Sequence, residues 1–232
     1  MINVSTSQTL SRGLTALELI ALADDAPTID DVAAHLGVHR SIAYRIVRTL
    51  EEHHLTERDA AGRCTAGVHL AALGRFARPS LQSVAVGELA KAADVLVMTC
   101  FLVVRDGADA LTVESLEPTT SQFHLTYRPG TRHPIDQGAP GLAVLAGNPP
   151  TEGERPEVGV TRDRGWAMTS GEVIEGLTSI AVPLIGADAS IAAVFLNGKS
   201  VDHDRIAEHL TITANTILDA LGNRPARVAA NA

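Results

Sequence analysis

Residues 28–65 read TIDDVAAHLGVHRSIAYRIVRTLEEHHLTERDAAGRCT, and the order of signals within them decides the fold. Thr28-Ile29-Asp30-Asp31 has the form of a capping box, a hydroxyl that accepts from the N–H three residues on and a carboxylate that reaches back. Ile29, Val32, Ala33 and Leu36 recur at helical spacing, so one face of a short helix is apolar. Gly37 follows where a left-handed turn residue is wanted. A second helix begins after Val38-His39, with Ile42, Ile46, Val47 and Leu50 as its apolar stripe. Its opposite face carries Ser41, Tyr44, Arg45 and Arg48, spaced i, i+3, i+4 and i+7. From Leu55 to Thr65, two short strand-like runs flank Asp59-Ala60-Ala61-Gly62, a hairpin with Arg58 and Arg63 on its sides. Capped helix, Gly turn, Arg-bearing helix and hairpin, in this order, spell a winged helix-turn-helix. A charged outer face on a helical hairpin is common by itself; the four features together are more specific. The second helix of such a motif enters the DNA major groove, where Arg suits bidentate contact with guanine edges or phosphates. The candidate DNA-contacting residues are therefore Ser41, Tyr44, Arg45 and Arg48 on the helix, with Arg40, Arg58 and Arg63 as phosphate contacts. The expected partner is double-stranded DNA.

Charge lends this reading no support. The chain is net −8, and its first 75 residues hold seven Arg against nine Asp and Glu, or −2. A base-reading surface must then be a local patch on an acidic body, which suppresses non-specific binding. Aromatic residues make up only 3%, too few for a platform on which single-stranded nucleic acid stacks. The nine His are scattered, and neither a C-x-x-C, a G-x-S-x-G nor a Gly-rich phosphate loop is present. Catalysis, a metal and a cofactor are not expected. Cys64 and Cys100 read as buried thiols. No apolar stretch is long enough for a bilayer, and Met1–Gln8 lacks the regions of a signal peptide, so a cytoplasmic protein is expected.

Outward from the motif, Leu10, Leu14, Leu17 and Ala21 give a first helix that closes at 24–27, expected to pack under the recognition helix and to pair with a second subunit. Residues 68–78 read as helix, Pro79 as its break, and 80–93 as its resumption. From Asp94 the texture changes. Strands are expected over 95–104, 111–116, 122–127, 165–169, 177–185 and 191–197, a short helix over 139–146, a surface loop over 147–157, and a closing helix over 202–221. Strands grouped between helices imply a mostly antiparallel α+β domain. The expected division is a winged helix-turn-helix over 1–67, a helical linker over 68–80, a second domain over 81–223, and a disordered tail over 224–232.

With both halves in place, the chain resembles the IclR family of bacterial transcriptional regulators. The resemblance is carried by Ser11-Arg12-Gly13-Leu14, by Asp31 to Arg45, by Arg48-Thr49-Leu50-Glu51-Glu52-His53, and by Gly62-Arg63. Further on it is carried by Gly130, Pro134, Gly141, Gly165-Trp166-Ala167, Glu172, Glu175-Gly176-Leu177 and Ala181-Val182-Pro183. It implies a GAF-like antiparallel-sheet effector domain that binds a small metabolite, homodimers or dimers of dimers, and operator affinity set by ligand. Repression is the expected sign of regulation. The resemblance implies a pocket at Phe101, Tyr127, Ala139, Trp166, Met168, Thr169, Ser179, Phe195 and Asn197, each of which could equally be core.

The chain departs from the family in that pocket. Thr169 stands where an acid is common, Ser179 where a Cys is frequent, and Phe195 and Asn197 where small Ser residues are usual. Asp136 and Leu142 replace a His and a Lys, the loop at 147–157 is short enough that a helix is missing from it, and the N–H pair that would cradle a carboxylate falls at Ala139 and Pro140. Proline has no N–H to give. The expected effector is therefore not a simple small carboxylate. The alternative reading is an effector-independent DNA-binding and dimerisation protein with a degenerate pocket.

Overall fold

A computed structural model describes residues 7–74, 79–119, 125, 127–198 and 200–222. The chain forms two compact units, one up to Pro79 and one from Ser80. The first unit opens with α1 (Gln8–Leu22), α2 (Ile29–Leu36) and α3 (Arg40–Glu52), followed by a hairpin of β1 (Thr56–Arg58) and β2 (Cys64–Ala66) and by α4 (His69–Gly74). The capping box forms as the sequence requires. Thr28 N–H donates to Asp31 Oδ2 at 2.8 Å, and Asp31 N–H donates to Thr28 Oγ1 at 3.3 Å. Gly37 takes the left-handed conformation, with φ of 60°, and ends α2. Ile29, Val32 and Ala33 of α2 meet Ala43, Ile46, Val47 and Leu50 of α3 in one core, with buried Cys64 beneath the hairpin.

In α1 the inward face differs from the expected one. Ala16 and Ile20 are buried, while Leu10 and Leu14 are 62% and 51% exposed and Ala21 is exposed. The stripe at 10, 14, 17 and 21 is apolar, but only half-buried Leu17 of that row reaches this core.

The second unit opens with α5 (Pro79–Leu96) and continues through β3 (Thr99–Asp106), β4 (Asp109–Leu116), β5 (Arg132–Pro134), α6 (Gly138–Ala146), α7 (Pro156–Arg164), β6 (Ala167–Ser170), β7 (Leu177–Leu184), β8 (Ala189–Leu196) and α8 (His203–Ala220). Among the described residues six strands pair antiparallel in the order β5-β4-β3-β8-β7-β6. Both faces of this sheet are covered. Leu81, Ala85 and Leu89 of α5 and Ile206, Leu210 and Ile217 of α8 pack on Cys100, Leu102, Ile180 and Phe195. Leu142 and Ala143 of α6 and Val158 of α7 pack on Phe101, Val103, Ala181 and Val194. This is the mixed α+β architecture expected, an antiparallel sheet between helical layers.

Several boundaries are corrected. Pro79 starts α5 instead of breaking a helix, because a proline at the first helical position gives up an N–H that has no partner there. Helix α5 runs to Leu96, so Val95 and Leu96 are helical and the strand begins at Thr99. Helix α7 occupies 156–164, where a loop and then no element was expected. Only Val158 and Thr161 of it are buried, so it carries little apolar periodicity. Pro156 at its start and Gly165, φ 88°, at its end are its sequence marks. The expected strand at 122–127 lies mostly outside the described residues, as do 75–78 of the linker and the whole tail; β5, at 132–134, was not anticipated.

Candidate DNA interface and effector pocket

Helix α3 presents two faces of different chemistry. Ala43, Ile46, Val47 and Leu50 point inward, and Ser41, Tyr44, Arg45, Arg48 and Thr49 are exposed. His39 caps the helix: its Nδ1 accepts from Ser41 N–H at 3.3 Å and lies 3.0 Å from Ser41 Oγ. His35 and His39 are four residues apart, the spacing of two ligands on one helix face. The left-handed Gly37 ends α2 between them, so they do not share one helix face. Among the described residues no cluster of three His, Cys, Asp or Glu could hold a metal.

The arginines divide by what they touch. Arg40 Nε lies 2.7 Å from Asp30 Oδ1, with both side chains about two-thirds exposed, a pair worth little in water. Arg48 lies 3.6 Å from Glu51 and 3.5 Å from Glu52. Arg58 turns back from the wing. Its Nε is 3.0 Å from Glu51 Oε1, its Nη2 donates to Glu51 Oε2 at 3.2 Å, and its guanidinium lies 5.4 Å from the centre of the Tyr44 ring. Burial disfavours the Arg58 charge, but Glu51 outweighs it and holds the guanidinium more firmly protonated than usual. Arg63 donates from Nη1 to the Ala26 carbonyl at 3.0 Å, and a bridge between Thr28 and Arg63 ties the hairpin to the start of α2. Arg45 alone among the seven candidates' arginines has no acidic side chain or carbonyl at its guanidinium among the described residues. The wing turn is closed by Asp59, whose Oδ1 accepts from the N–H groups of Ala61 and Arg63, both at 2.9 Å, with Gly62 at φ 80°.

In the second unit a cavity of about 20 Å³, the room of one water, lies between the sheet and the start of α6. Of the candidate pocket residues, Phe101, Tyr127, Thr169 and Ser179 line it. Tyr127 stacks on Phe101, ring centres 4.2 Å apart, and burial pushes its phenol pKa up, so it stays neutral. Ala139 does not line it, but its N–H donates to Thr169 Oγ1 at 2.8 Å.

Besides Ala139, four expected pocket residues do not line this cavity. Phe195 pairs with Thr178 and Val194 with Ser179, so Val194 faces the cavity and Phe195 the opposite layer, stacked on His203 at 5.9 Å. Met168 pairs with Ile180 on that same opposite face and is 38% exposed. Asn197, beyond the end of β8, accepts from Thr178 Oγ1 at 2.5 Å. Trp166 lies under the Arg164 guanidinium, 3.5 Å from its ring centre. The loop 171–176 is the part that sequence reading missed: Gly171, Glu172, Val173 and Ile174 all reach the cavity. Glycines at 171 and 176, φ 72° and 82°, bracket it and were its available signal.

Residues 9–60 match the IclR helix-turn-helix domain family. The glycerol operon regulatory protein of Streptomyces griseus is 28% identical over 202 residues, 76% of this chain and 78% of its own length. Among solved structures, the IclR transcriptional regulator of Alicyclobacillus acidocaldarius superposes with a TM-score of 0.77 at 21% identity, over 93% of this chain and 99% of that one. The chain thus carries an IclR-type helix-turn-helix domain and is similar over most of its length to IclR-type transcriptional regulators. An IclR homolog from Microbacterium hydrocarbonoxydans, complexed with 4-hydroxybenzoate, shares the fold with a TM-score of 0.76 at 21% identity, covering 94% of this chain and all of the other. No helix among the described residues is long and apolar enough to cross a membrane.

Proposed function

We propose that this regulator binds a double-stranded operator through α3 and the wing, and that a small metabolite in its C-terminal unit sets operator affinity. The observation that carries the reading is the outer face of α3, where Ser41, Tyr44, Arg45 and Arg48 stand exposed and the Arg45 guanidinium has no protein partner among the described residues. A guanidinium left uncommitted on a recognition helix is available for a guanine edge or a phosphate. Arg48 and Arg58 share Glu51, so their phosphate contacts come at the expense of that carboxylate. The exposed leucines of α1 supply an apolar surface for a second subunit, and a homodimer or dimer of dimers is the assembly we propose. Repression, in the cytoplasm, is the mode it fits. Domain limits of 1–67 and 81–223, with 68–80 between them, complete the proposal.

The bound 4-hydroxybenzoate of the Microbacterium structure and the glycerol operon of the Streptomyces relatives point to small metabolites. The 20 Å³ cavity favours a second reading, in which the pocket is degenerate and no metabolite moves DNA affinity. Fluorescence anisotropy on DNA upstream of the coding sequence, with scrambled competitor at several salt concentrations, tests the first claim. Preference for that DNA, lost on adding a metabolite pool, is the expected result. Equal binding to scrambled DNA, with and without metabolites, would sink it; a preference that no metabolite moves would select the second reading.

A further inference from the structure

We propose that Glu51 is a built-in competitor of DNA phosphate: it holds Arg48 and Arg58 and so limits the sequence-independent part of duplex binding. The proposal rests on reading α3 and the wing as the DNA interface. Glu51 is the second-last residue of α3 and meets a cation from each side. Arg48, three residues back on the same helix, brings Nη1 to 3.6 Å from its Oε2. Arg58, at the end of β1, donates from Nη2 to that same oxygen at 3.2 Å. The other oxygen, Oε1, lies 3.0 Å from Arg58 Nε, yet it is buried and accepts no hydrogen bond. One carboxylate thus restrains two guanidinium groups, and one of its oxygens is incompletely satisfied.

Burial decides which ion pairs of the first unit restrain an arginine. In the Arg40–Asp30 and Arg48–Glu52 pairs every side chain is more than half exposed, and such pairs are screened by salt and break readily. Glu51 and Arg58 are only 14% and 25% exposed. Drawing Arg58 onto a phosphate therefore leaves a largely buried carboxylate without its closest cation, which is costly. It also lifts the guanidinium away from the Tyr44 ring. The place of the pair is what couples it to DNA. Arg48, Glu51, His54, Thr56, Glu57 and Arg58 line one groove between the end of α3 and the wing. A phosphate entering that groove meets two guanidinium groups and also the Glu51 charge, which repels it and competes for both. Phosphate contacts carry no sequence information, so Glu51 lowers affinity for every duplex alike and leaves base reading by Arg45 untouched.

Neutralising Glu51 should therefore tighten binding. The full chain and its Glu51→Gln variant are titrated onto the duplex upstream of the coding sequence and onto a scrambled duplex, at several salt concentrations. We expect Glu51→Gln to bind both duplexes several-fold more tightly at low salt. Its log affinity against log salt should be steeper by about 0.9 for each arginine released, with the ratio between the two duplexes unchanged. A carboxylate that only supports the fold would, once removed, leave binding equal or weaker; that outcome with the wild-type slope overturns the proposal. Should Glu51→Gln fail to fold, Arg58→Gln decides from the other side. An arginine held on Glu51 adds nothing to the slope on scrambled DNA, so the slope should stay where it was; a fall of about 0.9 would show Arg58 already on a phosphate and overturn the proposal. The two failures are separable. A steeper slope without preference for the upstream duplex strikes the operator reading alone, and a preference with no change of slope strikes the role of Glu51 alone.

Discussion

Arg45 and Arg58 are both arginines on the side of the first unit proposed to face DNA, yet their surroundings give them different work. Arg45 has no acidic partner among the described residues, whereas Arg58 is three-quarters buried against Glu51 and Tyr44. Arg45→Ala should therefore cost about 1–3 kcal/mol of discrimination at one base pair with melting unchanged. Arg58→Ala should lower the melting temperature as well, since it strips Glu51 of its closest cation. Anisotropy and a thermal melt on the same preparations check both; equal melting of the two variants would contradict the division. At Val97, φ is 53° on a β-branched residue 46% exposed to solvent, in the turn between α5 and β3. Left-handed backbone costs a non-glycine residue about 1–2 kcal/mol, and an exposed valine returns little by packing. Val97→Gly should stabilise the fold by up to about 1 kcal/mol in denaturant titration, and a loss of stability would show that the strain is repaid elsewhere.

At the scale of elements, α6 is the piece whose placement makes the pocket, and Gly141 is what lets it approach. A Cβ there would stand 2.2 Å from the Ile135 carbonyl oxygen. Alanine normally gains about 0.5–1 kcal/mol over glycine inside a helix, but a contact this short on backbone must move the helix or the loop. The clash wins: Gly141→Ala should destabilise by about 1–3 kcal/mol or more and disturb the Gly138–Glu172 contact, as measured by urea titration. A neutral or stabilising outcome would mean that α6 is free to shift. The elements also show where pattern reading succeeds. Helices α2 and α3 were legible because one face is solvated, so period and cap are both written in the residues. Helix α7 was not, because only two of its side chains are buried.

The molecule as a whole carries −8 and binds a polyanion, so its affinity for DNA depends on a local patch. Each phosphate neutralised contributes a slope of about −0.9 in log affinity against log salt, and Arg45→Ala should lower that slope by about one if it meets a phosphate, and leave it if it reads a base. Acid stability is likewise a property of the whole. Asp31, Glu154, Glu157 and Glu172 have carboxyls held below their ordinary range, Asp31 by the Thr28 N–H and hydroxyl, Glu154 and Glu157 by the hydrogen bonds of Arg162 and Arg155, and Glu172 by Gly138 and Arg155 against its burial. A depressed folded pKa contributes stability that is present above the unfolded value and is lost as pH falls through the folded one. Melting temperature should be flat with respect to these groups near neutrality and fall below about pH 4. A melt that is unchanged down to pH 2 would contradict these pairings.

The sequence by itself determined the winged helix-turn-helix, its cap, its turn and its outward residues, because each is a local rule with a solvated face to display it. It also determined that an antiparallel sheet with flanking helices follows. Only the tertiary structure decided which side of that sheet each residue serves. Strands β3, β7 and β8 are buried on both faces, so they read as nearly unbroken apolar runs without the alternation that betrays a side. In a period of two, one residue of uncertainty exchanges the faces, which is why Val194 and not Phe195 meets the cavity. Tertiary structure alone also brought Glu172 to the start of α6, 34 residues earlier in the chain, since no local rule couples a loop carboxylate to a distant helix end.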